Sequence, residues 1–318
     1  MLTGCFLLAI VYPLYFLFHS VPDLVVTRLI HGAGIACFAT ASSILVTEIS
    51  PKNRLAQAIG IYVVSTSIAT GIAPAIGLSF MQNLPTQLFF AIPAVFALIA
   101  FVMVATIDTR RPTLCEKQTS ISFANVLTNK HVLIPGITWV SCSFTLGVVN
   151  AFLPLYLLPF SNVSTSLFYA IYSIALILIR FLGSGLSNKF GRKKVVIPSM
   201  LLLTLGVLGL AFVQEAISLS ICAMVYGFGI GLTYPSIVAQ VIDHVDGASR
   251  SIALGIFSAS IEIGYFLGPL IMGITSEVLG FRGMFVLSSL VPLVGMMFFW
   301  YNYRNNFEPP RPLMKSSL

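Results

Sequence analysis

Residues 28–77, RLIHGAGIACFATASSILVTEISPKNRLAQAIGIYVVSTSIATGIAPAIG, decide the fold because a second version of the stretch begins 195 residues later. Residues 223–272 read AMVYGFGIGLTYPSIVAQVIDHVDGASRSIALGIFSASIEIGYFLGPLIM, and without a gap 11 of the 50 positions are identical. Gly32 meets Gly227, Gly34 meets Gly229, Gly60 meets Gly255, Ser65 meets Ser260 and Pro74 meets Pro269, while Glu48 meets Asp243. Glycines permit close helix contact and prolines permit bends, so what recurs is a packing pattern. A duplication of this period in an apolar chain points to a membrane protein built from two structural repeats.

Composition fits that class. The 318 residues are 57% hydrophobic and only 8% charged, with a mean hydropathy of +0.97, beyond what a water-soluble core requires. Apolar runs long enough to cross a hydrocarbon core of about 30 Å fall at 2–18, 23–48, 54–82, 87–107, 131–158, 163–187, 194–213, 216–243, 248–276 and 281–303. Backbone groups in lipid must pair within their own segment, and the runs lack the alternation of barrel strands, so an all-α polytopic fold is expected.

The net charge of +7 is a topology signal rather than a nucleic-acid footprint. With the N-terminus in the cytoplasm, Arg282 alone of the 17 Lys and Arg falls in an outer loop, Arg28 and Arg180 fall inside spans, and the rest lie on inner loops or the tail. That is the positive-inside asymmetry. The 5 cysteines are scattered and odd in number, which argues for neither a disulfide frame nor a metal site. Asn162-Val163-Ser164 forms a glycosylation sequon on an outer loop, relevant only in a secretory pathway.

Shifting the late spans back by 195 places 281–303 on 87–107 and 194–213 on the first run, whereas 131–158 and 163–187 find no partner. The expected architecture is therefore four plus six spans. Residues 1–107 form an incomplete N-terminal bundle, 108–130 a cytoplasmic linker, 131–303 a six-helix bundle and 304–318 a cytoplasmic tail.

Polar residues inside apolar runs are the candidate pathway. Arg28 lies about 8 Å inside the outer end of its span and His31 follows one turn later on the same face. An arginine so placed calls for a polar surrounding and suits charge handling, with snorkelling to the headgroups as the alternative. His31 fits either proton handling or a neutral bond between helices. The first span, with Tyr12, Pro13 and His19, is read as a packing helix without chemistry. Asn150, Tyr156, Tyr172, Arg180, Tyr226 and Tyr234 could line a cavity, Arg180 with snorkelling to the inner surface as its alternative. Glu262 is the one carboxyl well inside a run, about 17 Å from its inner end. It is expected to be buried, where an uncharged form suits proton loading and release. Gly71, Pro74 and Gly77, and their late counterparts Gly264, Gly268 and Pro269, are expected either to pack helices or to bend them where two halves meet.

The loop Gly185-Leu186-Ser187-Asn188-Lys189-Phe190-Gly191-Arg192-Lys193-Lys194 is the most specific motif. Here the chain resembles the major facilitator superfamily, whose members carry G-x-L-[AS]-D-[RK]-x-G-[RK]-[RK] between the second and third helices of each half. Leu186, Ser187, Lys189, Gly191, Arg192 and Lys193 match, while Ser184 stands for a usual glycine and Asn188 for a usual aspartate. The resemblance implies a cytoplasmic gating loop, without the charged contacts that the aspartate makes in the family. Arg28-x-x-x-Gly32-x-Gly34 resembles the family's arginine motif on the fourth helix of twelve, and Gly264-x-x-x-Gly268-Pro269 resembles the motif of exporters.

The resemblance implies a two-bundle secondary transporter in the cell membrane, exporting a small-molecule substrate in exchange for protons. No ATP-binding loop, paired carboxylates, metal-ligand spacing or nucleophile-base pattern occurs, so neither an enzyme nor a cofactor is expected. The alternative is a non-transporting or truncated relative, motivated by the unpartnered spans.

Overall fold

The computed structural model describes residues 1–17, 20–50, 84–107, 123–160, 163–183, 185–245 and 249–306, with isolated helical residues between 61 and 80. The chain divides into two compact units, Met1–Glu116 and Lys117–Leu318. Gly71, Pro74 and the linker residues 108–122 lie outside the described residues, as does most of the expected span 54–82.

Unit 1 contains α1 (Leu2–Leu17), α2 (Val21–Ile49) and α3 (Thr86–Ala105). Ser20 caps α2 by accepting the Asp23 N–H at 3.3 Å, and the Asp23 carboxylate in the first turn opposes the positive end of the helix dipole. Helix α1 packs on both α2 and α3. It approaches α2 closely because a Cβ on Gly4 would lie 2.7 Å from Phe38 N, and one on Gly34 would lie 3.1 Å from Leu8 Cγ.

Unit 2 contains α4 (Phe123–Leu127), α5 (Lys130–Leu157), α6 (Thr165–Gly183), α7 (Leu186–Phe190), α8 (Arg192–Leu210), α9 (Ala216–His244) and α10 (Arg250–Asn306). Asn129 caps α5 by accepting the His131 N–H at 2.9 Å. Helix α10 breaks at Gly280, where φ 67 and ψ 174 leave the helical range. Its 52-residue apolar portion, Ile252–Tyr303, would be about 78 Å long unbroken, more than twice the thickness of a hydrocarbon core. The break divides it into two passes, 250–279 and 281–306. Among the described residues, 7 helices are long and apolar enough to cross a membrane, this one included.

The duplication reappears in helix limits and contacts. Subtracting 195 from Ala216–His244 gives 21 and 49, the limits of α2. Gly34 approaches Leu8 of α1, and 195 residues on Gly229 approaches Leu203 of α8. Gly4 lies against Phe38, while at the corresponding positions Thr233 donates a hydrogen bond to Ser199 Oγ at 2.8 Å. Gly227 packs on Tyr172 and Ala175 of α6, but a Cβ on its mate Gly32 would meet nothing within 4 Å.

The first arm of α10 lies along α5 through a stripe of small buried residues spaced four apart, Ser260, Gly264 and Gly268. Ser143 Oγ donates to Ser260 O at 3.4 Å. A Cβ on Gly264 would collide with Ser143 and Val140, and one on Gly268 with the Phe144 carbonyl. The late glycines therefore pack helices inside unit 2, and the backbone stays helical through Pro269. Of the two roles expected for these glycines, this contact is the packing one. Gly268→Leu should lower the thermal unfolding midpoint in detergent by an amount equivalent to about 1–3 kcal/mol or more. Gly255→Ala, where a Cβ meets nothing within 4 Å, should leave it unchanged or raise it, since alanine favours a helix over glycine by about 1 kcal/mol.

Candidate functional site

In unit 1 the polar group is built around an aromatic side chain from α1. Arg28 Cζ sits 5.1 Å from the Tyr15 ring centroid, and Tyr15 OH is hydrogen-bonded to His31 Nδ1 at 3.1 Å. Tyr12 meets the His31 ring edge-on at 5.4 Å, and Phe90 of α3 stacks on Tyr15 at 5.7 Å. The guanidinium thus lies over a ring, with a cation–π attraction worth about 0.5–1 kcal/mol when exposed. The first helix, read from the sequence as a packing helix, thus places Tyr12 and Tyr15 against His31. Tyr15 lies three residues from Tyr12 on one face of α1, a spacing that was readable in the sequence.

In unit 2 the expected pathway residues separate into two environments. Asn150 accepts from Tyr169 OH at 2.7 Å and donates to Leu146 O at 2.9 Å. Tyr226 is fully enclosed, 3.3 Å from Thr145 Oγ1. Tyr156 is buried and donates to Ala211 O at 3.2 Å. Tyr234 is only partly covered. Trp139 of α5 meets its ring at 5.0 Å, and Arg180 Cζ of α6 lies 5.9 Å from its centroid. Arg180 therefore reaches across onto a neighbouring helix.

Glu262 is exposed, which overturns the expectation of burial. The face of α10 turned toward α5 carries Ser260 and Gly264, and two residues of helix rotate a side chain by about 200°. Glu262 consequently lies on the face that α5 leaves uncovered.

The motif loop is not irregular throughout. Leu186–Phe190 form one helical turn, α7, bounded by Gly185 at φ 93 and Gly191 at φ 92. Those conformations explain both glycines, because a residue with a Cβ is strained at such positive φ. The Asn188 side chain lies outside the described residues. Arg192 Nη2 donates to Asp243 Oδ2 at 2.9 Å and Arg192 Nε donates to the same oxygen at 3.1 Å, while Nη1 donates to Ser187. An ion pair thus forms without an aspartate at 188: the acid comes from the end of α9, where the repeat pairs Asp243 with Glu48. Lys189 Nζ lies 5.4 Å from the Phe190 ring, and Lys193 Nζ lies 5.8 Å from Trp300 and 5.7 Å from Tyr303. Nearby, the His131 and His244 rings stack at 5.1 Å. Gln240, one turn before His244, is fully buried, and neither amide atom has a hydrogen-bond partner among the described residues.

The family profile described as Major Facilitator Superfamily matches residues 1–169 and 140–317. This chain belongs to the major facilitator superfamily. Among its relatives, the staphylopine export protein of Staphylococcus aureus is 24% identical over 312 residues, covering 92% of this chain and 75% of that one. A multi-drug resistance efflux pump PmrA homolog of Lactococcus lactis is 22% identical over 276 residues, 83% of this chain and 67% of the other. The same fold occurs in the human organic anion transporter MFSD10 (TETRAN), with a TM-score of 0.69 and 14% identity over 94% of this chain and 76% of that chain. It occurs also in the fucose:proton symporter FucP of E. coli, with a TM-score of 0.65 and 18% identity over 94% and 82%.

For this major facilitator, an integral multi-pass membrane protein, sequence reasoning passed over Tyr15, Trp139, His131 and Gln240. None sits in a motif, and each acquires its position from packing between helices distant in sequence. The Arg192–Asp243 pair can be checked directly. Asp243→Asn should lower the unfolding midpoint at low salt, with most of the loss vanishing at high salt, because the side chains are 13% and 36% exposed and are screened. Exchanging the charges, Arg192→Asp with Asp243→Arg, should recover part of it. An unchanged low-salt midpoint in Asp243→Asn would show that the pair does not stabilise the fold.

Proposed function

We propose that this major facilitator is a secondary active transporter that exports small organic molecules in exchange for protons, rocking one half against the other around a midplane site. Four spans in residues 1–107 and six in 131–303 form the halves, joined by a cytoplasmic linker at 108–130 and followed by a cytoplasmic tail at 304–318. Both termini face the cytoplasm, and the chain resides in the cell membrane. The observation that carries the reading is the cationic and titratable pair Arg28 and His31, held by Tyr15 inside a span of a two-repeat membrane protein. Ionisable groups at such depth are costly and mark ion or substrate paths. The relatives that are named as export and efflux proteins support the outward direction.

Arg28 and His31 handle charge and protons in the N-terminal half. Glu262 does so from the uncovered face of α10, while Asn150, Arg180, Tyr226 and Tyr234 shape and support the substrate surface. The loop carrying Gly185, Asn188, Lys189, Gly191, Arg192 and Lys193 acts as the cytoplasmic gate. In proteoliposomes holding a pH-sensitive dye, a substrate gradient should drive proton movement across the wild-type membrane. Glu262→Gln and His31→Gln should each reduce that movement by about tenfold or more, as loss of a proton-transfer group does. Undiminished movement in Glu262→Gln removes Glu262 from the mechanism.

A further inference from the structure

We propose that Arg180, Tyr234 and Trp139 form a recognition site for the carboxylate of an organic anion with a flat apolar body. The proposal deepens, and rests on, the reading of the chain as a transporter of small organic molecules. Three helices converge on the site: α6 supplies Arg180, α9 supplies Tyr234 and α5 supplies Trp139. The Tyr234 ring is held in place from two sides, by Trp139 at 5.0 Å and by Phe257 of α10 at 6.2 Å, and Trp139 meets Phe257 at 6.3 Å. These rings make a fixed apolar shelf, and Arg180 Cζ lies over one end of it, 5.9 Å from the Tyr234 centroid.

The donor set is one-sided. A guanidinium donates in a planar fork that matches a carboxylate and accepts nothing, and an indole N–H only donates. Trp139 is 2% exposed, and its Nε1–H has no hydrogen-bond partner among the described residues. A buried donor left unsatisfied is costly, so an acceptor that reaches it relieves that cost. An anion satisfies such a set, whereas a cation would be repelled by Arg180. The adjoining shelf adds apolar contact, which selects a flat body attached to the anionic group.

Equilibrium binding of 1-naphthoate and of its uncharged analogue 1-naphthamide to the purified full chain in nanodiscs tests the assignment. The wild type should bind naphthoate saturably. Arg180→Gln should weaken naphthoate binding by about tenfold or more, with Arg180→Lys between the two, while naphthamide should bind weakly and equally to wild type and Arg180→Gln. Trp139→Phe keeps the ring and deletes the N–H, and it should weaken naphthoate binding several-fold. It carries the test alone if Arg180→Gln does not yield monodisperse protein. Absent saturable naphthoate binding, equal affinity for naphthoate and naphthamide, or unchanged affinity in the folded variants would each overturn the proposal. Because binding is read without a proton gradient, a chain that binds naphthoate yet moves no protons contradicts the exchange mechanism and leaves this site standing.

Discussion

Helices in a lipid slab gain nothing from the hydrophobic effect by touching one another, since the acyl chains are as apolar as leucine. What holds them together is close contact where side chains are small, and the stability of both units depends on it. Ser260, Gly264 and Gly268 let the first arm of α10 approach α5 until backbone meets backbone. Gly229 does the same for α9 against α8, and Gly4 for α1 against α2. Larger side chains at these places would separate the helices and displace the groups that project from their other faces.

The duplicated scaffold carries different chemistry in its two versions. His31 and Tyr226 occupy equivalent repeat positions, yet His31 bonds to Tyr15 of α1 while Tyr226 is enclosed beside Thr145 of α5. Arg28 is exposed, and its mate Ala223 is fully buried. Unit 2 draws its intramembrane cation from α6 instead, as Arg180. At the other end of the same helices the acids Glu48 and Asp243 are equivalent, and Asp243 takes Arg192 as its partner. One packing rule therefore supports two distinct sets of polar groups.

Much of this was legible in the chain because the bilayer allows few solutions. Span positions follow from apolar length, and the limits of α2 and α9 coincide under the 195-residue shift that the sequence alone revealed. Gly185 and Gly191 were marked by their motif, and the structure supplies the reason in their positive φ. The direction in which side chains point was not legible. Glu262 was expected to be buried because it is deep in an apolar run, but depth along a helix does not specify which face a residue occupies. Asn188 drew attention to a missing charge, whereas the acid that completes the pair, Asp243, comes from 51 residues away. Tyr15 and Trp139 belong to no motif, and their partners are set by helix crossings that no local pattern encodes.

A chain in which one helical arrangement occurs twice, at an offset of 195 residues, must show equal distances at equivalent positions. Double electron–electron resonance between spin labels in nanodiscs tests it most directly, using Val26→Cys with Ile99→Cys in unit 1 and Ile221→Cys with Val294→Cys in unit 2. All four positions are exposed, at 53%, 50%, 59% and 64%, and the pairs are equivalent under the shift. The two distance distributions should coincide to within a few ångströms. Mean distances that differ by about 10 Å, the diameter of a helix, would contradict it.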